Sequence, residues 1–384
     1  MKICWFGFAA SNHSWAIVAQ SICRELKNLG HDVDIFSTNG NLYFPQDLKE
    51  NLKGFIEPGK NYTQNDYISL ISKLDKNYDM QLSYTVFFHF ANYFSRGSKN
   101  RFGIWNYETT VIPKGFAKYC GAIDQVLPSS EFSRKIFLDN GIKDDKMTVI
   151  PHGVDLKRFE NKNKYKINSN KKYKILANIA QPHFRKNLPG LLEAYAKAFT
   201  RKDDVCLVLK ISKKSPQNII GKEPVIMDIN VDSLLLDLKK KYKDLGEIKI
   251  IDEFIPDIVE LYNACDIVFT MSLAECFYMP GLEALAANKI VVAPRYGGQL
   301  DFLNDKNSML IDGKIIRADT KMQYWEPSVY AKAFMPSIDD AANKLKEVVN
   351  NYDDYLTTFS PFIKEKTNEF TWTNAVNKIL KLSK

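Results

Sequence analysis

Two glutamates stand close together behind a predicted strand in the second half of the chain. Glu275 and Glu283 are separated by seven residues, and a strand-like run over residues 266–270 precedes them. The loop after a buried strand lies at the carboxyl edge of a parallel sheet, where α/β folds bind ligands. A helix predicted to start near Gly281, with Glu283 in its first turn, would aim N–H groups at a diphosphate there. Carboxylates accept hydrogen bonds from the diols of a hexose and a ribose, so the spacing indicates a sugar-nucleotide site. Taken alone, the pair is explained better by an acidic helix start that favours the macrodipole.

A basic pair, Arg185 and Lys186, occupies the loop between a predicted strand over residues 173–178 and a predicted helix over residues 188–199. Cleavage of the bond between an anomeric carbon and a nucleotide leaves a diphosphate with growing negative charge, and fixed Arg and Lys donors stabilise that charge. The alternative is an ordinary solvated helix start. It is disfavoured because cations at a helix N-terminus oppose the dipole unless an anion lies there.

The beginning of the chain predicts a βαβ unit. Strands are expected over residues 3–8 and 33–36, and the amphipathic helix between them, over residues 15–29, ends at Gly30, which suits the C′ position. The alternation continues along the chain, for example with a strand predicted over residues 205–211 and a helix over residues 233–245. Its repetition predicts an α/β fold with parallel, doubly wound sheets. The first loop, residues 9–15, lacks the Gly-x-Gly-x-x-Gly pattern that a dinucleotide needs, so an NAD dehydrogenase is disfavoured.

The segment from Tyr262 to Leu310 resembles the donor-binding signature of family-4 retaining glycosyltransferases of the GT-B fold. Shorter blocks agree with the family in order and spacing, and the resemblance covers most of the chain. The agreeing blocks are Gly30-His31-Asp32-Val33, PSSEF at residues 128–132, VIPHGVD at residues 149–155, Arg185-Lys186-Asn187 and GGQLD at residues 297–301. The resemblance implies two Rossmann-like, doubly wound domains that face each other across a cleft. It also implies catalysis without a bound metal or another cofactor, the nucleotide-sugar being a co-substrate.

The resemblance implies a role for each candidate site residue. Glu275 would hold the transferred sugar and Glu283 the ribose, whereas Arg185 and Lys186 would stabilise the diphosphate. The family's loop arginine usually stands at the position of Gln181, which leaves open whether Arg185 replaces it. Further donor contacts are implied for Tyr278, Met279, Pro280, Gly281 and Phe254, and Gly297-Gly298 would let a loop approach the donor. Cys276 and Tyr278 stand where relatives have glycines, which implies a differently shaped hexose pocket.

Glu108 is the candidate residue on the acceptor side. It follows a predicted strand over residues 101–105, at whose end relatives often carry a histidine. A carboxylate that caps the Thr109-Thr110 turn is an equally weighted alternative. His89 is interpreted as a core-edge histidine rather than as a catalyst. The first-loop residues that match a substrate-side loop of the family are Ser11, Asn12 and His13.

The predicted domain organisation has four parts. Residues 1–160 form an N-terminal acceptor-side domain, residues 161–174 a Lys-rich linker, and residues 175–360 a nucleotide-sugar-binding domain. The resemblance implies that residues 361–384 form a helix that crosses back to the first domain. The connection over residues 312–336 is long and is expected to be either a lid or sugar-stacking surface or a packed loop; its aromatic residues are Tyr324, Trp325 and Tyr330.

Composition and charge limit the other function classes. The 384 residues, 45% of them hydrophobic, suffice for two α/β cores. The net charge of +8 is concentrated in the six lysines of residues 161–174, so nucleic acid is not an expected partner. We favour a solvated linker over adhesion of this stretch and Lys239-Lys240-Lys241 to anionic lipid, although the resemblance allows peripheral contact with a membrane.

The remaining sequence features indicate an intracellular protein without a metal site. Six cysteines lack a Cys-x-x-Cys pair and are expected to be reduced and mostly buried. No signal peptide or apolar run of about 18 residues is evident, so a cytoplasmic location is expected. Asp32-Val33-Asp34 is expected to lie within a strand, at an edge or end of the sheet, and its two carboxylates are poorly suited to hold magnesium.

These observations lead to one functional hypothesis with alternatives. The chain is expected to move a hexosyl group from a UDP- or GDP-sugar to a hydroxyl of a glycan or lipid-linked saccharide, with retention implied by the resemblance alone. A GT-B sugar-nucleotide epimerase or phosphorylase is the first alternative. A non-catalytic sugar-nucleotide sensor or scaffold is the second, because Cys276 and Tyr278 depart from the family pattern.

Overall fold

The computed structural model describes residues 1–11, 14–38, 44–56, 64–74, 77–85, 94, 97–211, 219–220, 223–224, 229–323 and 327–383. The chain divides into two compact units. The first unit comprises Met1–Tyr107, Ile112–Gly153 and Thr371–Lys384, and the second comprises Glu108–Val111 and Val154–Phe370. Residues 161–172, predicted as part of a linker, therefore lie in the second unit. Residues 361–370, predicted as part of a crossing helix, lie there too.

The first unit is built on a six-stranded sheet. Its strands are β1 Lys2–Gly7, β2 Asp32–Ser37, β3 Leu52–Phe55, β4 Met80–Tyr84, β5 Asn100–Ile104 and β6 Gln125–Leu127. All neighbours are parallel, in the order β3-β2-β1-β4-β5-β6. Its helices include α1 Ser14–Asn28, α2 Gln64–Ser72 and α3 Glu131–Asp139. This strand order is the doubly wound arrangement that the sequence predicts.

The first βαβ unit forms as its sequence indicates. Val18, Ile22 and Leu26 are buried along one face of α1. Gly30 follows the helix with a φ of 83°, and the N–H of His31 donates to the carbonyl of Leu26 at 3.1 Å. Asp32-Val33-Asp34 begins β2, which confirms that these residues lie at a strand end, whereas the alternative of an edge strand is wrong because β2 lies between β1 and β3.

The second unit repeats the architecture of the first. Its sheet strands are β7 Tyr173–Ala180, β8 Val205–Ile211, β11 Glu247–Ile251, β12 Ile267–Phe269, β13 Ile290–Pro294 and β14 Met309–Ile311. The strands are parallel, in the order β11-β8-β7-β12-β13-β14. Two short antiparallel strands, β9 Ile219–Ile220 and β10 Glu223–Pro224, lie outside this sheet.

Helices cover the second sheet and enclose its core. They are α4 Leu188–Ala198, α5 Val231–Lys241, α6 Ile258–Asn263, α7 Met279–Ala286, α8 Ile338–Asn350 and α9 Tyr352–Glu369. Strands β8, β12 and β13 are nearly continuous apolar runs, as expected of a parallel sheet that is buried on both faces, whereas the edge strand β11 is half-buried. Because ligands of such sheets bind at the carboxyl ends of the strands, the loops that follow β7 and β12 are the positions to examine for function.

The connection over residues 312–336 contains a β-hairpin rather than only a loop. β15 Gly313–Arg317 pairs antiparallel with β16 Lys332–Pro336. One face of the hairpin packs with Leu273 and Ala274 of the loop after β12. Tyr330 is 80% exposed, and the predicted aromatic residues Tyr324 and Trp325 lie outside the described residues.

The Lys-rich stretch is attached to the second unit by hydrogen bonds. The N–H of Tyr165 donates to the carbonyl of Glu260 at 2.9 Å, and the Ser169 hydroxyl donates to Glu247 at 2.7 Å. The Lys171 ammonium donates to the carbonyl of Asp203 at 2.7 Å. The last residues of the predicted linker, Tyr173 and Lys174, are the first residues of β7. The stretch is thus an ordered edge of the second unit.

The last helix, α10 Trp372–Leu380, belongs to the first unit and packs against α1. The predicted apolar stripe is present, since Trp372, Val376 and Ile379 are buried. Gly153 explains how the chain closes here, because a Cβ at this position would overlap the backbone of Thr371 and Trp372. The glycine of the VIPHGVD block therefore has a packing role.

The cysteines follow the sequence expectation. Five of the six are buried, Cys276 is half-buried, and all six are free thiols. Among the described residues, no helix combines the length and the apolar character needed to cross a membrane.

Candidate functional site

The loop after β12 leads into α7 in an unusual backbone conformation. The helix begins at Met279, two residues before the predicted start near Gly281. Tyr278 precedes it with a φ of 71°, in the left-handed region that favours glycine. This conformation explains why a glycine would suit the position that Tyr278 occupies. Glu283 is the fifth residue of α7, so its predicted place in the first helical turn is wrong.

Glu275 lies at the centre of an ion-pair cluster. Its side chain is 7% exposed, and its two carboxylate oxygens meet different cations. The Lys186 ammonium lies 2.6 Å from Oε1, and Nη1 of Arg185 lies 2.9 Å from Oε2. Burial alone would raise the pKa of Glu275, but the charges of Arg185 and Lys186 outweigh it and lower the pKa to about 2. Glu275 is therefore a carboxylate throughout the physiological pH range.

Arg185 joins Glu275 to a second carboxylate. Its Nη2 lies 3.3 Å from Oε1 of Glu108, and its Nη1 also donates to the carbonyl of Ala274 at 2.6 Å. Arg185 is buried, whereas an ordinary cation at a helix start is solvated. Two cations and two carboxylates, Glu108, Arg185, Lys186 and Glu275, thus form one cluster whose formal charges cancel.

Main-chain hydrogen bonds hold the two loops of the cluster together. The carbonyl of Arg185 accepts from the N–H of Leu273 at 2.8 Å and from the Ser272 hydroxyl at 3.2 Å. Asn187 has a φ of 50° and caps α4 by accepting from the N–H of Gly190 at 3.2 Å. Its Nδ2 donates to the carbonyl of Met271 at 3.1 Å. The Arg185-Lys186-Asn187 block is therefore fixed against the loop after β12.

Glu108 is contributed by a short segment that belongs to the second unit. Within this segment the Thr110 hydroxyl accepts from the N–H of Lys332 at 2.9 Å, and Val111 packs against the hairpin cluster. The structure thus places Glu108 in the ion-pair cluster. Asn106, in the first unit, has a different role, because it links the Tyr84 hydroxyl to Ser129 through hydrogen bonds of 2.8 Å each.

Glu283 forms a separate polar group on α7. The Tyr262 hydroxyl donates to its Oε2 at 2.8 Å, and Nδ2 of Asn178 donates to the Tyr262 hydroxyl at 3.2 Å. Burial raises the pKa of Glu283, and the hydrogen bond from Tyr262 and the charge of Arg158 act against this rise. Sequence reasoning missed both supporting residues, although Asn178 is a polar residue inside an otherwise apolar strand pattern.

The predicted helix N-terminus offers fewer N–H groups than expected. Pro280 has none, and the N–H of Gly281 donates to the carbonyl of Tyr278 at 3.0 Å. The Tyr278 ring lies over Gly281, where a Cβ would be only 2.5 Å from the ring. Met279 is half-buried and packs against the core of the unit. The Tyr278 ring therefore covers Gly281 in the first turn of α7.

Two glycines after β13 support the Glu275 loop. Gly297 has a φ of 102°, and a Cβ there would lie 2.7 Å from the carbonyl oxygen of Glu275. The N–H of Gly298 donates to the same oxygen at 2.8 Å. The sequence predicts that the Gly297-Gly298 loop approaches a donor closely. In the structure this loop closely approaches the backbone of Glu275.

The other predicted residues lie outside the ion-pair cluster. Phe254 follows β11 and is 56% exposed. The carbonyl of Ser11 accepts from Nε2 of Gln20 at 3.1 Å. The loop candidates Asn12 and His13 lie outside the described residues, as does His89, which was interpreted as a core-edge histidine. Within the part of the chain that the structure describes, no three His, Cys, Asp or Glu side chains are grouped closely enough to hold a metal ion.

Known proteins show a family match and a consistent fold. Residues 159–323 match the family model described as glycosyl transferases group 1. A glycosyltransferase from Rickettsia africae ESF-5 has a TM-score of 0.69 at 19% identity, with 100% of this chain and 98% of that chain covered. HepE of Anabaena, in complex with UDP and glucose, has a TM-score of 0.72 at 13% identity, with 99% and 98% covered. No curated protein sequence matches the chain.

A third structure widens the range of chemistry found on this architecture. The sucrose-phosphate synthase from Thermosynechococcus elongatus has a TM-score of 0.69 at 14% identity, with 100% of this chain and 98% of that chain covered. At these identities the similarities show the fold, and the predicted GT-B fold is confirmed.

Proposed function

Since the chain is a glycosyltransferase with a GT-B fold, we propose that it transfers a hexosyl group from a UDP- or GDP-sugar to a hydroxyl of a glycan or lipid-linked saccharide, with retention of configuration. The observation that supports this proposal best is the buried Glu275 carboxylate between Arg185 and Lys186. These groups stand at the carboxyl ends of β7 and β12, where parallel sheets bind ligands. That HepE of Anabaena was solved with UDP-glucose supports a donor of the same class.

The proposed chemistry is a front-side displacement at the anomeric carbon. The bond from this carbon to the diphosphate oxygen breaks, and a bond to the acceptor oxygen forms on the same face. The acceptor proton passes to the departing phosphate oxygen. Arg185 and Lys186 stabilise the charge that develops on the diphosphate, which is the main contribution a fixed pair of cations makes to such a step.

The carboxylates have complementary roles in this proposal. Glu275 accepts hydrogen bonds from the hydroxyls of the transferred sugar, and Glu283 accepts them from the ribose. We propose Glu108 as the acceptor-side residue, acting through its contact with Arg185. Phe254 and the backbone over residues 278–281 contact the donor. The reaction requires no metal or other cofactor, because the cations of the loop supply positive charge.

The proposed function is tested with a panel of UDP-, GDP- and ADP-sugars. Thermal shift and slow nucleotide release are measured for the wild type and for Glu283→Ala. A donor that stabilises the wild type but not the variant identifies the base and sugar. The product formed with an acceptor is then analysed by NMR for its anomeric configuration. If no nucleotide-sugar raises the melting temperature, the proposed donor site is wrong, and an inverted product would exclude retention.

Cytoplasmic location and peripheral contact with an anionic membrane are a separate proposal. The structure leaves less free charge for the contact than the sequence implied. Lys240 and Lys241 are paired with Asp237 and Glu193, whereas Lys162 and Lys171 donate to neutral main-chain carbonyls, which do not compensate their charge. Binding of the protein to vesicles with and without phosphatidylserine tests the contact, and equal binding to both would exclude it.

A further inference from the structure

A buried tyrosine supports the Glu283 carboxylate from the core of the second unit. Tyr262, in α6, is fully buried, and its hydroxyl donates to Oε2 of Glu283 at 2.8 Å. Asn178, in β7, donates to the same hydroxyl oxygen at 3.2 Å. A phenol hydroxyl has only one proton. Since its oxygen already accepts from Asn178, this proton is directed toward Glu283.

We propose that Tyr262 is a positioning residue for the nucleotide. Its hydroxyl holds one oxygen of the Glu283 carboxylate, so that the other oxygen is presented to the ribose hydroxyls of the donor. This inference rests on the proposed role of Glu283 as the ribose-binding residue. A carboxylate that is held in place before the ligand arrives loses less conformational freedom on binding, and binding is correspondingly tighter.

Another buried tyrosine of the same unit shows what a purely structural hydroxyl does. The Tyr195 hydroxyl donates to the main-chain carbonyl of Glu247 at 2.8 Å. The main-chain carbonyl of Val205 is a second, longer acceptor at 3.3 Å. These partners are backbone groups that need a hydrogen bond when buried. The partner of Tyr262 is instead a side chain on α7. If the Tyr262 hydroxyl had no role, a phenylalanine could fill the same space. The polar side chain of Asn178 would then not be needed inside the sheet.

The hydrogen bond also acts on the charge state of Glu283. Burial raises the pKa of this carboxyl, and the hydrogen bond from Tyr262 lowers it. The other charged and titratable groups that act on it are Arg158, Asp257 and Tyr278. A carboxyl must be ionised to accept from both ribose hydroxyls. Loss of the Tyr262 hydroxyl therefore raises the pKa further and moves the acid loss of nucleotide binding to higher pH.

The test compares four proteins by isothermal titration calorimetry between pH 5.5 and 8. They are the wild type, Tyr262→Phe, Glu283→Gln and the matched control Tyr195→Phe. The probe is whichever of UDP, GDP and ADP raises the melting temperature of the wild type most, together with its 2′,3′-dideoxy analogue. Tyr262→Phe is expected to weaken binding of the probe about tenfold, which corresponds to about 1.4 kcal/mol. It should weaken binding of the dideoxy analogue much less, and Tyr195→Phe should leave both affinities unchanged.

Each outcome assigns a failure to one of the two proposals. If Glu283→Gln weakens binding while Tyr262→Phe does not, the positioning role is overturned and the ribose site stands. If Tyr262→Phe weakens both probes equally, the hydroxyl acts through general packing, and the inference also fails. If Glu283→Gln binds as the wild type does, or if no nucleotide binds, the ribose site and the inference fall together. Melting temperatures of the two tyrosine variants show whether each remains folded.

Discussion

Replacing Glu275 with glutamine removes the negative charge from between Arg185 and Lys186 while keeping the size of the side chain. The magnitude follows from the pKa of Glu275, which is lowered from its ordinary value of 4.5 to about 2. A tenfold change in an acid dissociation constant corresponds to about 1.4 kcal/mol, so the charged form stabilises the second unit by about 3 kcal/mol at pH 7. Removal of one partner of a buried ion pair typically lowers the free energy of unfolding by about 3–5 kcal/mol, which agrees with this value.

The sign of the pH dependence follows from the lowered pKa. A carboxyl whose folded-state pKa is depressed contributes its full stability above the unfolded pKa near 4.5 and loses it as the pH falls toward 2. The difference between wild type and Glu275→Gln should thus be largest at pH 7 and about half as large at pH 3. An exposed ion pair gives a matched control. Nζ of Lys240 lies 3.0 Å from Oδ1 of Asp237, and both side chains are 67% exposed. Asp237→Asn should cost less than about 1 kcal/mol at every pH.

Urea unfolding measured by hydrogen exchange of peptides from β12 and α7 reports on the second unit separately from the first. This choice matters because a chain with two units need not unfold in one step. A Glu275→Gln difference below about 1 kcal/mol at pH 7, or one that does not change with pH, would refute the reasoning. It would mean that desolvation of the three charged groups cancels their attraction.

Three further changes test other parts of the structure. Gly153→Ala should reduce the free energy of unfolding of the first unit by about 3 kcal/mol, because the new Cβ overlaps the backbone near Trp372. A thermal melt should show the corresponding fall in melting temperature. Lys186→Met should reduce donor turnover about 100-fold in a nucleotide-release assay, while binding of the nucleoside alone changes little. Tyr278→Gly relieves about 1 kcal/mol of backbone strain but removes a buried ring worth about 3–5 kcal/mol, so urea unfolding should show net destabilisation. A stabilised variant would contradict the packing argument.

Local patterns predicted the elements better than their boundaries. The strand predicted over residues 205–211 is observed as Val205–Ile211, because a short, mostly apolar run with β-branched residues is typical of a strand that is buried on both faces. The helix predicted over residues 233–245 is observed as Val231–Lys241. Asn230 accepts from the N–H of Ser233 at 3.0 Å and starts the helix earlier. The β15–β16 hairpin was not predicted, since Ile315 and Ile316 are adjacent and show no alternation.

The side-chain contacts in the site could not be predicted from the sequence, for a different reason. Arg185 and Glu275 were both predicted as site residues, but 90 positions separate them in the chain. Only the parallel pairing of β7 with β12 brings their loops to the same edge of the sheet. No local pattern specifies that Tyr262 donates to Glu283 rather than to a main-chain carbonyl. The residue types thus indicated the chemistry, and the fold determined the partners.

The balance of charge in the cluster has a consequence for an incoming diphosphate. Arg185 and Lys186 are fully compensated by Glu275 and Glu108, so an anion must displace a carboxylate before it gains the attraction of both cations. The contact between Arg185 and Glu108 is the longest of the three, at 3.3 Å, and Glu108 is the more exposed carboxylate, at 19% against 7%. Long contacts to exposed groups are the weakest of such pairs. Glu108 is therefore the partner that a diphosphate would replace first, while Glu275 keeps both cations in place.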